Sequence, residues 1–254
     1  MKNLYKYLFI PVILLVSMTS CHSGYEEKDG KIYYKWIHGG NWTGESTLVK
    51  EADIETFEAI DNNINVHLGK DKKYVYKDAS ILAYADPNTF EHVKDYYWKD
   101  KSNVYLLQFG GTECRIKDAD PLTFKVIKDF HWSCDKNNVF YQFDKLLNVN
   151  PNKFVAIDEE WGKDDSFYFY HNLRIDSLDY KTAQIVSPYY IKDQYSVFFH
   201  NIIVKDAKPK TFKADGVGSF GHDEKFMFNW DKNEGPITQE YKKIYIETEK
   251  KNSR

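Results

Sequence analysis

One phrase recurs down the chain, and it limits the fold more than any other feature. "DKKYVY" stands at residues 71–76, "DKSNVY" at 100–105 and "DKNNVFY" at 135–141. With the aspartate as origin, seven units begin at Asp29, Asp71, Asp100, Asp135, Asp164, Asp193 and Asp223. Five residues on, every unit carries an aromatic: Tyr34, Tyr76, Tyr105, Phe140, Phe169, Phe198 and Phe228. One position earlier every unit is apolar, from Tyr33 and Val75 to Val197 and Met227. Self-similarity at a fixed period marks a repeat architecture, in which each unit buries its apolar surface against its neighbours.

A second landmark follows each aspartate: "ADPNTF" at 85–90, "ADPLTF" at 119–124, "VNPNKF" at 149–154 and "AKPKTF" at 207–212, with "LDYKTA" at 178–183 and "ADIETF" at 52–57 as looser copies. The distance from Asp to this anchor is 19 residues in units two, four, five and six, 24 in unit three and 28 in unit one. Insertions therefore fall in one slot. Unit seven lacks the anchor and ends in the charged "ETEKKNSR", as a terminal cap would.

The local chemistry predicts strands. "DKNN" is a turn, because Asp bonds its own following backbone and Asn tolerates left-handed geometry. Two adjacent apolar residues point to opposite faces, so the strand they open is expected to be covered on both sides. In "DPNTF", Asp caps and Pro opens a short helical turn, and Phe locks it to the core. The fold expected is all-β: tandem repeats of about 30 residues, each three short strands plus a helical turn, in an open or superhelical array. The alternative is a closed, propeller-like arrangement, although propeller blades use about 40 residues and four strands. Aromatics at 17% of the chain suit strands, and a net charge of −3 excludes an electrostatic footprint for nucleic acid.

The stretches "DKNNVFY", "DKSNVY" and "ADPLTF" resemble the DKNYY repeat family of bacterial envelope proteins, over nearly all of the mature chain. The resemblance implies a repeat fold in a secreted or lipid-anchored bacterial protein, and it brings no catalytic residue. The N-terminus agrees. Lys2 and Lys6 precede the apolar run "LFIPVILLV", which is short for a spanning helix. Met18-Thr19-Ser20-Cys21 resembles a bacterial lipobox, which implies cleavage before Cys21 and acylation of that cysteine. The expected organisation is a lipoprotein signal peptide at 1–20, a polar tether at 21–28 and a single β-repeat domain of about seven units at 29–254. Cys114 and Cys134 remain, either as a disulfide or as two small hydrophobes.

Motifs for chemistry are sparse. "GVGSFG" at 216–221 matches G-x-G-x-x-G but runs into the next repeat's turn and strand, so it reads as a loop. The histidines and cysteines lack metal-ligand spacing, Asp78, Asp86, Asp118 and Asp120 form no calcium loop, and the repeated aspartates read as hairpin turns in solvent. No metal or cofactor is expected. Asn41-Trp42-Thr43 is a glycosylation sequon, idle in a bacterium. What breaks the repeat is more informative: "WIHGGNWTGEST" at 36–47 and "QFGGTEC" at 108–114 enlarge the same slot. Insertions in one slot project on one face, and Trp36, His38 and Trp42 give that face aromatic platforms. The expected function is a non-enzymatic binding or scaffold lipoprotein of the cell envelope, membrane-held through Cys21 and facing an envelope protein or glycan. Two other readings stand beside it: a purely structural element, and a glycan-acting enzyme drawing an acid and base pair from Glu45, Glu51 and Asp53.

Overall fold

A computed structural model of the chain describes residues 23–37, 44–62, 64, 66–215 and 218–246. Seven small antiparallel sheets follow one another in chain order, five of them four-stranded and two three-stranded. Sheet four is typical: Lys125–Lys128, Trp132–Cys134, Val139–Tyr141 and Asp144–Lys145 pair as neighbours. The unit thus holds four strands where the pattern predicts three, because the fourth is only two residues long and shows no alternation. The helical turn is also corrected. Each anchor is a tight turn closed by an i to i+3 bond, such as Thr89 N–H to the Asp86 carbonyl at 3.2 Å.

Sheet boundaries differ from the sequence units. Each of sheets two to seven opens just after its anchor, as Glu91–Lys94 follows Phe90, so the recurring aspartate sits at the centre of a sheet, between its second and third strands. The first boundary moves too. Gly24–Lys28 is the first strand of sheet one and not a tether. Tyr25 explains this: its ring packs 5.1 Å from Phe57 and its hydroxyl donates to the His67 carbonyl at 3.2 Å.

The third strands are buried along their length, as in Val75–Lys77, Val139–Tyr141 and Val197–Phe199. The adjacent apolar pair works as expected. Phe140 faces the cluster shared with sheet three, whereas Val139 and Tyr141 face the cluster shared with sheet five. Six core clusters each join two consecutive sheets, and among the described residues none joins sheet one to sheet seven. The fold is an open all-β repeat array. Beyond sheet seven, Gln239–Tyr241 and Lys242–Ile246 form a short helical cap. Tyr241, buried in that cap, donates to the carboxylate of Asp215, which also bonds His222 Nδ1 at 2.6 Å.

The repeated phrase has a common physical purpose. In sheets two to seven its aspartate is buried, at 1–5% exposure, and is not a solvent turn. Asp100 is representative. Its Oδ1 accepts the N–H groups of Ser102 and Asn103 at 2.7 Å, and its Oδ2 accepts Asp86 N–H at 3.0 Å. The same three bonds recur at Asp71, Asp135, Asp164, Asp193 and Asp223. Each carboxylate therefore ties its own turn to the anchor turn before it, and a buried charge survives because N–H groups saturate it. Asp29 is the exception: it is exposed, left-handed (φ 51°), and sits with Gly30 in a two-residue hairpin.

Successive sheets are also stitched side to side. Tyr97, Trp132, Trp161 and Tyr190, each three residues before its aspartate, donate to carbonyls of the next sheet: Phe130 (3.0 Å), Asp158 (2.9 Å), Ser187 (3.1 Å) and Ser219 (2.5 Å). Sheet two has Leu68 there, which cannot donate, and buried Lys77 reaches the Phe109 carbonyl of sheet three instead.

Candidate functional site

The hairpin between third and fourth strands is where this array varies most. In five sheets it is a two-residue turn whose first residue is left-handed: Asp78, Gln142, His171, His200 and Trp230, with φ between 53° and 60°. Both insertions fall at the equivalent place after the aspartate's strand: between the paired strands Lys31–Ile37 and Gly44–Leu48 in sheet one, and between Tyr105 and its bridge partner Arg115 in sheet three. The expectation that they share one slot is met.

A ladder of rings runs along this edge. Phe109 lies 6.1 Å from Phe130, which stacks 4.1 Å from His131, itself 6.0 Å from Tyr141. His171 lies between Tyr141 (4.2 Å) and Tyr170 (4.1 Å). Tyr170 then meets His200 at 3.9 Å, His200 meets Phe199 at 3.9 Å, and Phe199 lies parallel to Trp230, within 5°, at 6.2 Å. The ladder crosses five sheets, from three to seven.

The histidines differ in surroundings. His171 Nε2 bonds the Glu160 carboxylate. His200 is held neutral: burial, then the neighbouring His171, pushes its pKa down to about 4. His200 Nε2 and His131 Nδ1 are buried with no hydrogen-bond partner among the described residues. Burial first, then the Glu160 charge, pushes the hydroxyls of Tyr141 and Tyr170 well above the usual tyrosine range.

The ladder ends at a pocket of about 350 Å³ lined by Tyr170, Tyr189, Phe199, His200, Ser219 and Trp230. Trp230 is 58% exposed and left-handed, at φ 60°. A bulky side chain in that backbone region costs roughly 1–2 kcal/mol, and an exposed indole recovers little of it by burial. A second pocket, about 410 Å³, lies between sheets one and two beside Tyr25, Ile60, Asn62 and His67.

Trp36 lies on the strand Lys31–Ile37, 54% exposed and paired in register with Glu45. Counted seven residues from its aspartate, it shares a column with His171, His200 and Trp230. His38, Trp42 and Cys21 lie outside the described residues. The pattern missed the ladder because that column holds Trp, Asp, Leu, Gln, His, His and Trp, which no one residue type dominates. Reading that column would have shown three of the rings, His171, His200 and Trp230, but not their stacking on Tyr141, Tyr170 and Phe199.

The remaining candidates are placed elsewhere. Cys114 and Cys134 are free and belong to different core clusters, between sheets two and three and between sheets four and five, so the disulfide is not formed. Asp53 is the anchor aspartate of unit one, bound to Lys72 at 2.5 Å, while Glu45 and Glu51 are exposed. Gly218 and Ser219 lie in a turn and Phe220–His222 in a strand, with another strand and no helix next. Among the described residues no three His, Cys, Asp or Glu converge as metal ligands.

The stacked sheets, buried aspartates and ring-lined edge define an open β-repeat protein. The sequence model of the DKNYY family matches residues 3–109 and 97–234, two overlapping stretches, and the chain belongs to that family. No curated protein and no solved structure matches it.

Proposed function

We propose that this chain is a lipid-anchored binding or scaffold protein of the bacterial cell envelope, non-enzymatic, held by Cys21 and contacting an envelope protein or glycan through its hairpin edge. The observation that carries this reading is the ladder from Phe109 to Trp230, ending in a half-exposed tryptophan over a pocket. Stability does not call for an exposed indole on a left-handed turn, whereas large amphipathic rings are what recognition surfaces use. The lipobox-like "SMTSC" supports the address.

The test is retention on envelope material from a strain lacking the gene, using the full chain with Cys21→Ser so that no acyl group holds it to the membrane. Trp230→Ser with Phe109→Ser should release the protein. Leu122→Ser with Leu147→Ser, which removes two apolar residues that are more exposed, at 87% and 68%, should not. Equal retention of both variants would refute the assignment of the edge.

A further inference from the structure

We propose that the pocket between sheets six and seven binds an uncharged sugar ring, its C–H face stacked on Trp230. The proposal rests on the reading of the hairpin edge as the contact face and names the ligand class for one place on it. At about 350 Å³ the pocket is toward the small end of ligand sites, which span about 300–1,000 Å³.

Its chemistry selects against charge. Among the described residues no Asp, Glu, Lys or Arg contributes to the wall, and burial keeps His200 neutral above about pH 4. An ionised ligand would lose its hydration here without a compensating partner. What the wall offers instead is flat faces. Phe199 is within 5° of Trp230 and within 21° of Tyr189, at 6.2 and 6.3 Å. The polar side chains among these rings are of neutral type: the Tyr170 and Tyr189 hydroxyls, the His200 imidazole, the Trp230 indole N–H and the Ser219 hydroxyl, which already meets Asn229 Oδ1 at 2.9 Å.

A pyranose fits both properties. It has an apolar C–H patch that lies flat on a ring, and hydroxyls around its perimeter that both donate and accept. A flat apolar heterocycle would cover the rings but leave the hydroxyls and indole N–H unpaired on desolvation. The position of Trp230 agrees. It takes the left-handed first place of its hairpin, where sheets two and four use Asp78 and Gln142, and it stands 58% exposed beside the pocket.

The test is calorimetric titration of the full chain, held in a detergent without a sugar headgroup. Probes are chitotetraose and maltotetraose as neutral oligosaccharides, a tetragalacturonate as an anionic one, and indole as a flat heterocycle. At least one neutral oligosaccharide should bind, with the anionic one and indole at least tenfold weaker. Trp230→Ala should weaken binding at least tenfold, Trp230→Phe should restore most of it, and Leu122→Ala, exposed away from the edge, should leave it unchanged. Tyr189→Ala supplies a second wall variant should Trp230→Ala melt early. Binding undiminished in both Trp230→Ala and Tyr189→Ala, a preference for tetragalacturonate or indole, or no neutral oligosaccharide bound would each overturn the sugar proposal. Release of the Trp230→Ser, Phe109→Ser variant in the preceding experiment would still uphold the edge itself, so the two failures are distinct.

Discussion

Tyr105 donates its hydroxyl to Oδ2 of Asp100 at 2.7 Å, both residues being buried. Tyr76 and Asp71 repeat the relationship at 2.8 Å, and in sheet four, where Phe140 has no hydroxyl, Asn138 Nδ2 takes the same oxygen at 3.0 Å. In sheet four a different side chain thus occupies the carboxylate oxygen that the phenol takes in sheets two and three.

Asp100→Ala should therefore destabilise the protein by about 3 kcal/mol, since it takes the acceptor from three partly buried N–H groups and from the buried Tyr105 hydroxyl. Tyr105→Phe should cost only about 1 kcal/mol. Lys101→Ala, which removes an exposed ion pair with Asp86 at 2.8 Å, should cost the least of the three. Denaturant melts of the three variants check the order; a Lys101→Ala loss as large as that of Asp100→Ala would mean the surface pair, and not the buried carboxylate, holds the turns.

Glycine in the second strand answers to the anchor phenylalanine. A Cβ on Gly162 would stand 2.3 Å from Phe154 Cζ, and one on Gly69 or Gly221 would stand 2.5 Å from Phe57 or Phe212. Gly162→Ala should cost about 1–3 kcal/mol by overpacking, and Phe154→Leu should recover part of it. Thermal melts of the single and double variants measure this. Additive losses would show that the ring is not what the methyl meets. Phe154 itself is only half-buried, so Phe154→Ala should cost about 2–3 kcal/mol, less than the 3–5 kcal/mol of a buried phenylalanine.

The pH dependence of stability should carry the mark of His200. Its folded pKa of about 4 lies below the ordinary value of 6.5. Between those limits the unfolded chain takes up the proton that the folded chain refuses, so stability falls as pH drops from about 6.5 to about 4 and is unaffected above that window. The loss should be on the order of 1–2 kcal/mol after discounting for partial exposure. His200→Phe should flatten the Tm profile over that range. An unchanged slope in the variant would assign the effect to other groups.

Much of the array was legible because its core is written in fixed columns. Tyr34 to Phe228 recur five residues after each aspartate, and a pair of adjacent apolar residues in such a strand has to face two partners. The buried aspartates were not legible. A polar residue at a turn reads as solvated, and the N–H that captures Asp100 belongs to Asp86, 14 residues upstream. Sheet boundaries were hidden for a related reason: a period says nothing about which end of the unit pairs with which neighbour. Fourth strands such as Asp144–Lys145 are too short to alternate. Of the edge, Trp36 was found because it stands in a conspicuous insertion. Trp230, His171 and His200 stand in ordinary two-residue turns, and only their stacking across sheets gives them a common purpose.

The central claim is that the sheets dock pairwise in an open array, and native-state hydrogen exchange on Phe228→Ala tests it most directly. Phe228 is fully buried in the cluster between sheets six and seven. In an open array the damage stays local. Protection should fall across Lys213–Ala214, Phe220–His222, Phe226–Asn229, the helical cap and the facing strand Val197–Phe199, while Val75–Lys77 and Lys31–Ile37 keep wild-type protection. An equal fall at Val75–Lys77 and Lys31–Ile37 would contradict the account, because it would mean that the first and last sheets share one cooperative core.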